Sequence, residues 1–566
     1  MTKYRIGITM AGAVSAGAYT AGVLTELMET LDAWYKAKQQ GLDYTCEDGT
    51  VLNFAPNEIP AHEVEIQAFS GSSAGGMCAA LFAFCLGRGN LDALYQSWVK
   101  DIDLRPMLDP TDIPGDGSSL YSLLNTAQID KIANAAADFE YNQSMKWPAY
   151  LSENIDLYLT LTNLEGIPYG MNYNNLPGSL NQGVMSHADY TRFRLVKPGY
   201  AGNIEPDALK LDPSEKTRGT AQENWNQLRD NAPATGAFPI GLKARMLRRT
   251  KKQYEEREWY FPFLFKNGQP EAYKIKPGWA VGTPDTFDLE FSDGGVLNNE
   301  PFELVRRRLA INVNKWRNET EADKADGSVI MVDPFPTEPP KVTGTTFDNI
   351  PPIQSLVGPL FGAMRNQSMF DQELFQAALN KDIYSRYLIS PVRKDAHNNY
   401  EKTPLASSSL MAFGGFIHED LREHDFKLGR YNCQRFLRNH YSLPLNNPMV
   451  SYATNPALLE RYKKAGWVIE KDGQLFMSIV PSSGMISPRE QPVWPQIART
   501  HTDELRQLAY KRFVRIREHY VKGFTSNKIL SSALNLGLSV KFGEKWFTRQ
   551  WEKTVEKPLL EAGLMR

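Results

Sequence analysis

The chain has 566 residues, of which 42% are hydrophobic and 23% are charged, proportions typical of a globular protein with a large core. Its 63 Lys and Arg residues nearly balance its 65 Asp and Glu residues, and the formal net charge of -2 argues against nucleic acid as a partner. The cysteines show neither metal-ligand spacing nor a dense disulfide framework, which predicts reduced thiols in a cytoplasm-like compartment: Cys46, Cys78, Cys85 and Cys433.

The first predicted element is a strand over Tyr4 to Thr9, followed by a turn of small residues, Met10 to Gly17, that opens a helix. Such a turn presents successive backbone N–H groups, as an anion or oxyanion requires, although an ordinary tight turn has the same composition. The start of the chain is rich in Gly and Ala and runs into a helical pattern, which argues against a signal peptide. No strongly apolar run approaches the roughly 18 residues that a membrane-spanning helix needs.

The next segments form a possible nucleophile elbow. Residues 36–60 are polar without clear periodicity, which predicts an inserted loop. Val64 to Phe69 is a predicted strand, and Gly71-Ser72-Ser73-Ala74-Gly75 then gives G-x-S-x-G before an amphipathic helix. The small residues allow strand and helix to approach closely, and the helix N-terminus lies near Ser73. Because the pentapeptide arises by chance about 0.2 times in a chain this long, partners elsewhere must decide its meaning.

The middle of the chain begins with an alternating strand pattern at Ile155 to Thr162. Residues 177–262 are predicted to be an insertion that forms a cap or lid, and they include the small-residue segment Ala234 to Pro239. A basic run between Lys243 and Lys252 is interpreted mainly as a solvated face, with attraction to anionic lipid as the alternative.

A second chemically distinctive segment follows the predicted strand Phe287 to Phe291. There Asp293 precedes Gly294 and Gly295, so a carboxylate stands at a strand end with little steric bulk around it, although a plain turn has the same sequence. Strands alternate with helices up to the predicted strand at Ser328 to Val332, which indicates an α/β domain with a largely parallel sheet.

The composition changes where prolines cluster between Pro334 and Pro352, and we place a domain boundary at residue 340. Beyond it we predict a mainly helical region, with helices near 354–380, 422–441 and 503–520 and one strand at 384–389. The tail carries apolar Ile529 to Val540 and then aromatic residues among lysines: Trp546, Phe547 and Trp551. Such a tail fits core packing or an interfacial membrane contact.

Taken in order, these segments resemble the patatin-like phospholipase family. The matching pieces are the turn Gly12–Gly17 with Gly22-Val23-Leu24, the elbow Gly71–Gly75, Ala234–Pro239 (similar to the family's A-S-x-A-x-P), and Asp293-Gly294-Gly295 with Asn299 and Pro301. Tyr158 to Pro168 also resembles the strand before the family's T-D-L-x-x-G-x-P turn. The resemblance covers roughly residues 1–340, and its specificity lies in the ordered set rather than in any single motif.

The resemblance implies a three-layer α/β/α domain over residues 1–340, whereas the role of residues 341–566 lies outside it. It implies a nucleophile, Ser73, whose only side-chain partner is Asp293, with no histidine, metal or other cofactor. The expected reaction is hydrolysis of acyl esters in phospholipids or related lipids through an acyl-enzyme. Asp293 must then accept the Ser73 proton directly, across roughly 2.6–3.2 Å.

The resemblance also implies an oxyanion hole and the glycines that make room for the site. The expected backbone N–H donors are those of Gly12, Ala13, Val14 and Ala74, and the supporting glycines are Gly71, Gly75, Gly294 and Gly295. The turn departs from the family's G-G-G-x-R/K-G, because Ala16 replaces the basic residue and bulkier residues replace two glycines. Backbone donors survive these changes, but the range of turn geometry narrows, so low activity is compatible with this sequence.

Two other interpretations stay open. An α/β-hydrolase with a Ser-Asp-His triad would use His418 or His424 as its late histidine. A non-catalytic lipid-binding or scaffold protein on a degenerate hydrolase fold would explain the altered turn. In each case the expected partner is a lipid, with peripheral membrane contact as a further expectation, and the sequence does not reveal an oligomeric state.

Overall fold

The computed structural model describes residues 3–336 and 383–566, apart from 47–48, 116–117, 172–181, 267–268, 525–534, 536–537 and 540, together with residue 363. The predicted helix at 354–380 and the apolar tail segment at 529–540 therefore lie almost entirely outside the described residues.

The elements of the described residues alternate between strands and helices over the first half of the chain. The strands are β1 (Tyr4–Met10), β2 (Leu42–Thr45), β3 (Val51–Phe54), β4 (Val64–Gly71), β5 (Leu151–Gly170), β6 (Gly183–Val196), β7 (Ala208–Leu211), β8 (Arg245–Thr250), β9 (Glu258–Lys266), β10 (Gln269–Lys274), β11 (Thr286–Asp293), β12 (Gly327–Val332), β13 (Arg386–Ile389), β14 (Ser442–Pro444), β15 (Val468–Lys471) and β16 (Gln474–Ser478). The helices are α1 (Gly17–Gln40), α2 (Ala74–Arg88), α3 (Asp92–Tyr95), α4 (Leu104–Met107), α5 (Ala127–Ala137), α6 (Gly219–Thr235), α7 (Lys251–Glu255), α8 (Phe302–Ile311), α9 (Glu419–Asn439), α10 (Pro456–Lys464), α11 (Arg499–Phe524), α12 (Glu544–Trp551) and α13 (Lys557–Glu561).

A nine-stranded sheet forms the centre of the described part of the chain, with the order β13-β12-β1-β4-β5-β11-β8 and with β6 and β7 branching from β5. The pairs from β13 to β5 are parallel, whereas β5 pairs with β6 and β11, and β11 with β8, in antiparallel fashion. The predicted α/β fold with a mostly parallel central sheet is confirmed.

Helices cover both faces of this sheet. On β1, Ile6 and Ile8 pack into the large core that includes α1 and α2. The intervening residue, Gly7, points the other way, because a Cβ built on it would lie 2.1 Å from Val305 of α8. Helix, sheet and helix thus form three layers, and Gly7 lets α8 approach β1 closely.

Two predictions of irregular structure are wrong, and the basic run is largely solvated as predicted, with one buried member. Within residues 36–60, α1 continues to Gln40 and β2 pairs with β3 as an antiparallel hairpin. Within residues 177–262, β6 pairs along most of β5. Its core-facing residues alternate with polar residues, whose charges are neutralised by ion pairs such as that between Arg192 and Asp156. The basic run forms β8, in which Arg248 is exposed but Arg249 is buried, its guanidinium 4.6 Å from the Phe291 ring centroid.

The C-terminal region packs directly on the first helix. At the crossing of α1 and α9, a Cβ on Gly22 would lie 2.0 Å from the Phe426 carbonyl oxygen, and one on Gly429 would lie 2.2 Å from that of Tyr19. Strand β13 also extends the central sheet beside β12. The boundary at residue 340 stays a prediction, although elements from both sides of it share one sheet.

Candidate active site

Ser73 lies at the turn between β4 and α2 with φ 50° and ψ -125°, a conformation that L-residues rarely adopt. A Cβ on Gly75 would lie 2.2 Å from the Met10 carbonyl oxygen, and one on Gly71 would lie 2.4 Å from the Gly75 backbone. The close approach that the sequence predicts for an elbow is therefore present. The Ser73 side chain is 8% exposed, so its hydroxyl is nearly dry.

Asp293 ends β11, which pairs with β5 at Leu161 and so reaches the same edge of the sheet as the elbow. The Ser73 hydroxyl donates to Asp293 Oδ2 at 2.7 Å, joining residues 220 positions apart in the chain. The other carboxylate oxygen, Oδ1, accepts the Gly295 N–H at 2.6 Å. Asp293 is 5% exposed, so little water competes for this carboxylate.

The glycines after Asp293 make this approach possible. A Cβ on Gly294 would lie 2.3 Å from the Thr160 carbonyl oxygen, and one on Gly295 would lie 2.7 Å from the side-chain oxygen of Asn299. Neither position has room for a side chain. The backbone of Asp293 is held at both ends, because its N–H donates to the Ala237 carbonyl and its carbonyl accepts the Thr162 hydroxyl.

The predicted oxyanion turn lies against the elbow. A Cβ built on Gly12 would lie 3.1 Å from that of Ser73. However, the Gly12 N–H already donates to the Asn299 carbonyl at 3.1 Å, so its predicted role as a free donor is unfavourable. The remaining candidate N–H donors in this turn are Ala13 and Val14. Val14 has a positive φ of 49°, which changes the direction of the backbone there. Ala74, the fourth predicted donor, is the first residue of α2.

Thr235 is a contributor that the sequence did not single out beyond its place in the Ala234–Pro239 segment. This last residue of α6 is fully buried, and its hydroxyl accepts the Ser73 N–H at 3.0 Å. The bond satisfies a donor that the strained turn would otherwise leave unpaired. The signal available in the sequence was a residue with a hydroxyl group, Thr235, within the otherwise small and apolar segment Ala234–Pro239.

A narrow apolar pocket starts at Ser73 and Asp293 and runs between the helices. Its cavity volume is about 90 Å³. Its wall is formed mainly by aliphatic and aromatic side chains, among them Met77, Leu81, Phe84, Trp98, Ile129 and Ala136. The pocket can therefore hold a single slender hydrocarbon chain with its end at the Ser73 hydroxyl.

The C-terminal region completes the site, which the sequence did not reveal. The Ala412 carbonyl accepts both the N–H and the hydroxyl of Ser15, and the Gly415 N–H donates to the Ser15 hydroxyl at 3.0 Å. Phe413 and Phe416 of this segment line the pocket. Residues 405–416 thus hold the far end of the predicted oxyanion turn.

A buried carboxylate anchors that segment. Asp425 of α9 accepts the Ala406 and Ser407 N–H groups at 2.8 and 3.0 Å. Its Oδ1 lies 2.9 Å from His424 Nδ1. The buried pair of His424 and Asp425 near the start of α9 therefore has a structural role.

The eight histidines all lie in the described part of the chain, and none of them lines the Ser73 pocket. Of the two candidates for a triad, His418 caps α9 by accepting the Asp420 N–H, and His424 packs on the Trp494 ring. This placement gives the triad interpretation no support.

Within the described part of the chain, no group of three His, Cys, Asp or Glu side chains is arranged to hold a metal ion. Among the same residues, no helix combines the length and the apolar character needed to cross a bilayer.

Known proteins provide one informative likeness. The chain is 30% identical over 587 residues to y4iI, an uncharacterized protein of Sinorhizobium fredii (strain NBRC 101917 / NGR234), and the match covers 95% of this chain and 79% of y4iI. The chain belongs to the y4iI family. No family model matches this y4iI-family chain. Among solved structures, VipD from Legionella pneumophila is 12% identical over 97% of this chain and 92% of VipD, with a TM-score of 0.22 that supports no conclusion.

Proposed function

We propose that this protein is a patatin-like lipid acyl hydrolase, in which Ser73 is the nucleophile and Asp293 is its proton acceptor. The observation that carries the proposal is the 2.7 Å hydrogen bond from the Ser73 hydroxyl to Asp293 Oδ2 inside a nearly dry site. This distance lies within hydrogen-bond reach for direct proton transfer. The strained elbow and the ordered motifs that resemble the patatin-like family add support.

The proposed reaction has two halves, and Asp293 acts in both. Ser73 Oγ attacks the ester carbonyl carbon while its proton moves to Asp293 Oδ2, and the leaving alcohol then takes that proton. Water next attacks the acyl-enzyme, giving one proton to Asp293, which returns it to Ser73 Oγ as the fatty acid leaves. Backbone N–H groups of Ala13 and Val14 are the proposed donors to the oxyanion in each half, with Ala74 as a further one.

The pocket supports an acyl chain as the group transferred to Ser73. Its walls offer many apolar contacts and few hydrogen-bond partners, which favours hydrocarbon over a polar headgroup. Phospholipids or related lipids are therefore the proposed substrates, with the rest of the lipid outside the mouth of the pocket.

An activity-based probe tests the proposal. A fluorophosphonate should label the wild type and the Ser72→Ala variant, but not Ser73→Ala. Ser72 is a matched control because it is the neighbouring buried serine. Asp293→Asn should keep the fold and lose labelling by a factor on the order of 10² or more, since the proton acceptor is gone.

The same experiment separates the rival functions. Absence of labelling in the folded wild type would favour a non-catalytic lipid-binding or scaffold protein. Loss of labelling on substitution of His418 or His424 would favour a triad enzyme, because a dyad enzyme should keep its labelling in every histidine variant. Mass spectrometry of products from a mixed lipid extract would then identify the ester that is cleaved.

A further inference from the structure

Exposed apolar side chains surround the mouth of the Ser73 pocket. We name them the mouth patch, and they are Tyr121 (68% exposed), Leu123 (44%), Phe238 (44%), Ile240 (76%) and Met411 (90%). Single exposed apolar residues are common on protein surfaces, but a contiguous set beside an apolar pocket is characteristic of an interaction surface.

Hydrogen bonds and ring contacts join the members of the mouth patch. The Leu123 N–H donates to the Ile240 carbonyl at 2.9 Å, so these two loops lie side by side. The Phe238 ring lies 5.7 Å from the Phe413 ring, two residues after Met411. Both of these aromatic residues also line the pocket that leads to Ser73. The patch is therefore continuous with the pocket wall.

The backbone presents the two most exposed aliphatic tips in an unfavourable conformation. Ile240 has a φ of 68°, and the three successive residues Leu410 to Ala412 have φ values of 56°, 53° and 71°. A left-handed conformation is disfavoured for L-residues and most of all for a β-branched one. The strained loops direct apolar tips into solvent, where they gain no packing within the chain. Such strain commonly accompanies a functional role.

Basic side chains flank the mouth patch. The Lys243 ammonium is exposed and lies 4.9 Å from the Tyr121 ring centroid. Arg512 of α11 is buried and paired with Asp112, so it supplies no free charge to the surface, but it donates to the Leu123 carbonyl and holds that loop in place. Lys522 lies ten residues further along α11, is exposed and donates to the Gly115 carbonyl. Cations around an apolar surface match a lipid layer that carries anionic headgroups.

We propose that the mouth patch docks on an anionic lipid surface, with Ile240 and Met411 entering the boundary between headgroups and acyl chains. The choice of a lipid surface as the occupant rests on the proposed function, because docking there would bring an acyl chain to the pocket without passage through water. The surface lies on parts of the chain that are far apart in sequence, and it does not require the apolar tail near residues 529–540.

Vesicle binding tests the proposal. The probe is a vesicle of phosphatidylcholine with a minority of phosphatidylglycerol, and all proteins carry Ser73→Ala so that turnover does not alter the lipid. The test variant adds Ile240→Ser and Met411→Ser. The control adds Val281→Ser, which removes a fully exposed aliphatic residue. Val281 precedes Thr286, the end of β11 that lies roughly 23 Å from Asp293 at about 3.3 Å per residue.

The test variant should bind vesicles at least about tenfold more weakly than the parent protein, and the control should bind as the parent does, because only the former loses apolar area that the lipid buries. A fluorophore attached at Met411→Cys should shift to shorter wavelength on binding, since the four native cysteines are buried. Equal binding by test and control variants, or an unshifted fluorophore on bound protein, would overturn the proposal.

Other outcomes are equally decisive. If the test variant instead converts a dimer to a monomer in the absence of lipid, the patch joins two copies of this chain and lipid docking is refuted. Because binding is measured without turnover, a protein that fails to hydrolyse esters can still satisfy this proposal. Conversely, an active hydrolase with unaffected vesicle binding would retain the proposed function and lose the docking surface.

Discussion

Replacement of Thr235 by Val isolates one contact that holds the elbow. Valine has nearly the shape of threonine, so the packing of Thr235 against Gly76 survives while the hydroxyl that accepts the Ser73 N–H is lost. The N–H lies in a fully buried place, and the valine offers no substitute acceptor. The substitution therefore tests whether this hydrogen bond maintains the left-handed conformation of Ser73.

The magnitude follows from two costs. A buried N–H without an acceptor costs about 1–3 kcal/mol, and a residue in a sparsely populated conformation stores about 1–3 kcal/mol of strain. Other backbone bonds restrain the turn as well, among them that from the Met77 N–H to the Ser73 carbonyl at 3.0 Å and that from the Gly75 N–H to the Ser72 carbonyl at 2.8 Å, so only part of the orientation depends on Thr235. If loss of this bond raises the activation free energy for attack by Ser73 by about 2 kcal/mol, because the serine is no longer held in its reactive orientation, the rate should fall about 30-fold.

The assay combines the rate of fluorophosphonate labelling with the free energy of unfolding in urea. Thr235→Ser is the matched control, since it keeps the hydroxyl and loses only a methyl group. We expect Thr235→Val to be slower and less stable, and Thr235→Ser to label at close to the wild-type rate. A valine variant that matches the wild type in both measurements would refute the role of this bond, and equal impairment of both variants would assign the effect to the methyl group.

Three further outcomes are expected. Gly429→Ala should destabilise the protein by about 1–3 kcal/mol or more in urea unfolding, because its Cβ would meet the Tyr19 carbonyl, whereas Gly115→Ala, with open space around it, should not. Burial lowers the pKa of His62 from 6.5 to about 4, so its stabilising contribution is complete above pH 6.5 and about 2–3 kcal/mol of it is lost by pH 4.5. His62→Phe should lack that part of the pH dependence, and identical pH profiles would contradict it. Ala136→Phe should reduce cleavage of long-chain esters at least about tenfold relative to short-chain esters, and an unchanged chain-length profile would place the acyl chain elsewhere.

Much of the local structure was predictable because each element carries its own pattern. The strands at Tyr4–Met10, Val64–Gly71 and Gly327–Val332 are short apolar runs bounded by turn residues, and the elbow is a spacing of glycines around Ser73. The strand and turn at Asp293 were equally local. Polar strands were missed. In β6, Arg192 and Asp189 are buried and become acceptable only because charged partners from other elements neutralise them. In β8, Arg249 is buried against the Phe291 ring.

The candidate site was only partly predictable for the same reason. Sequence order and spacing placed Ser73 and Asp293 among the candidates, but their 2.7 Å hydrogen bond depends on how β11 lies beside β5. The loss of Gly12 as a free donor depends on Asn299, and no local pattern predicts that pairing.

The sequence by itself determined the apolar strands β1, β4 and β12 and the elbow at Ser73, because periodicity and turn chemistry act over a few neighbouring residues. Only the tertiary structure decided that residues 405–416, tied to Asp425, hold the turn around Ser15 and line the pocket. The physical reason is that the Asp425 carboxylate and the Ser15 hydroxyl accept backbone N–H groups of this distant segment, and every residue except proline has such a group. The segment that is held therefore carries no side-chain signature of the contact in the sequence.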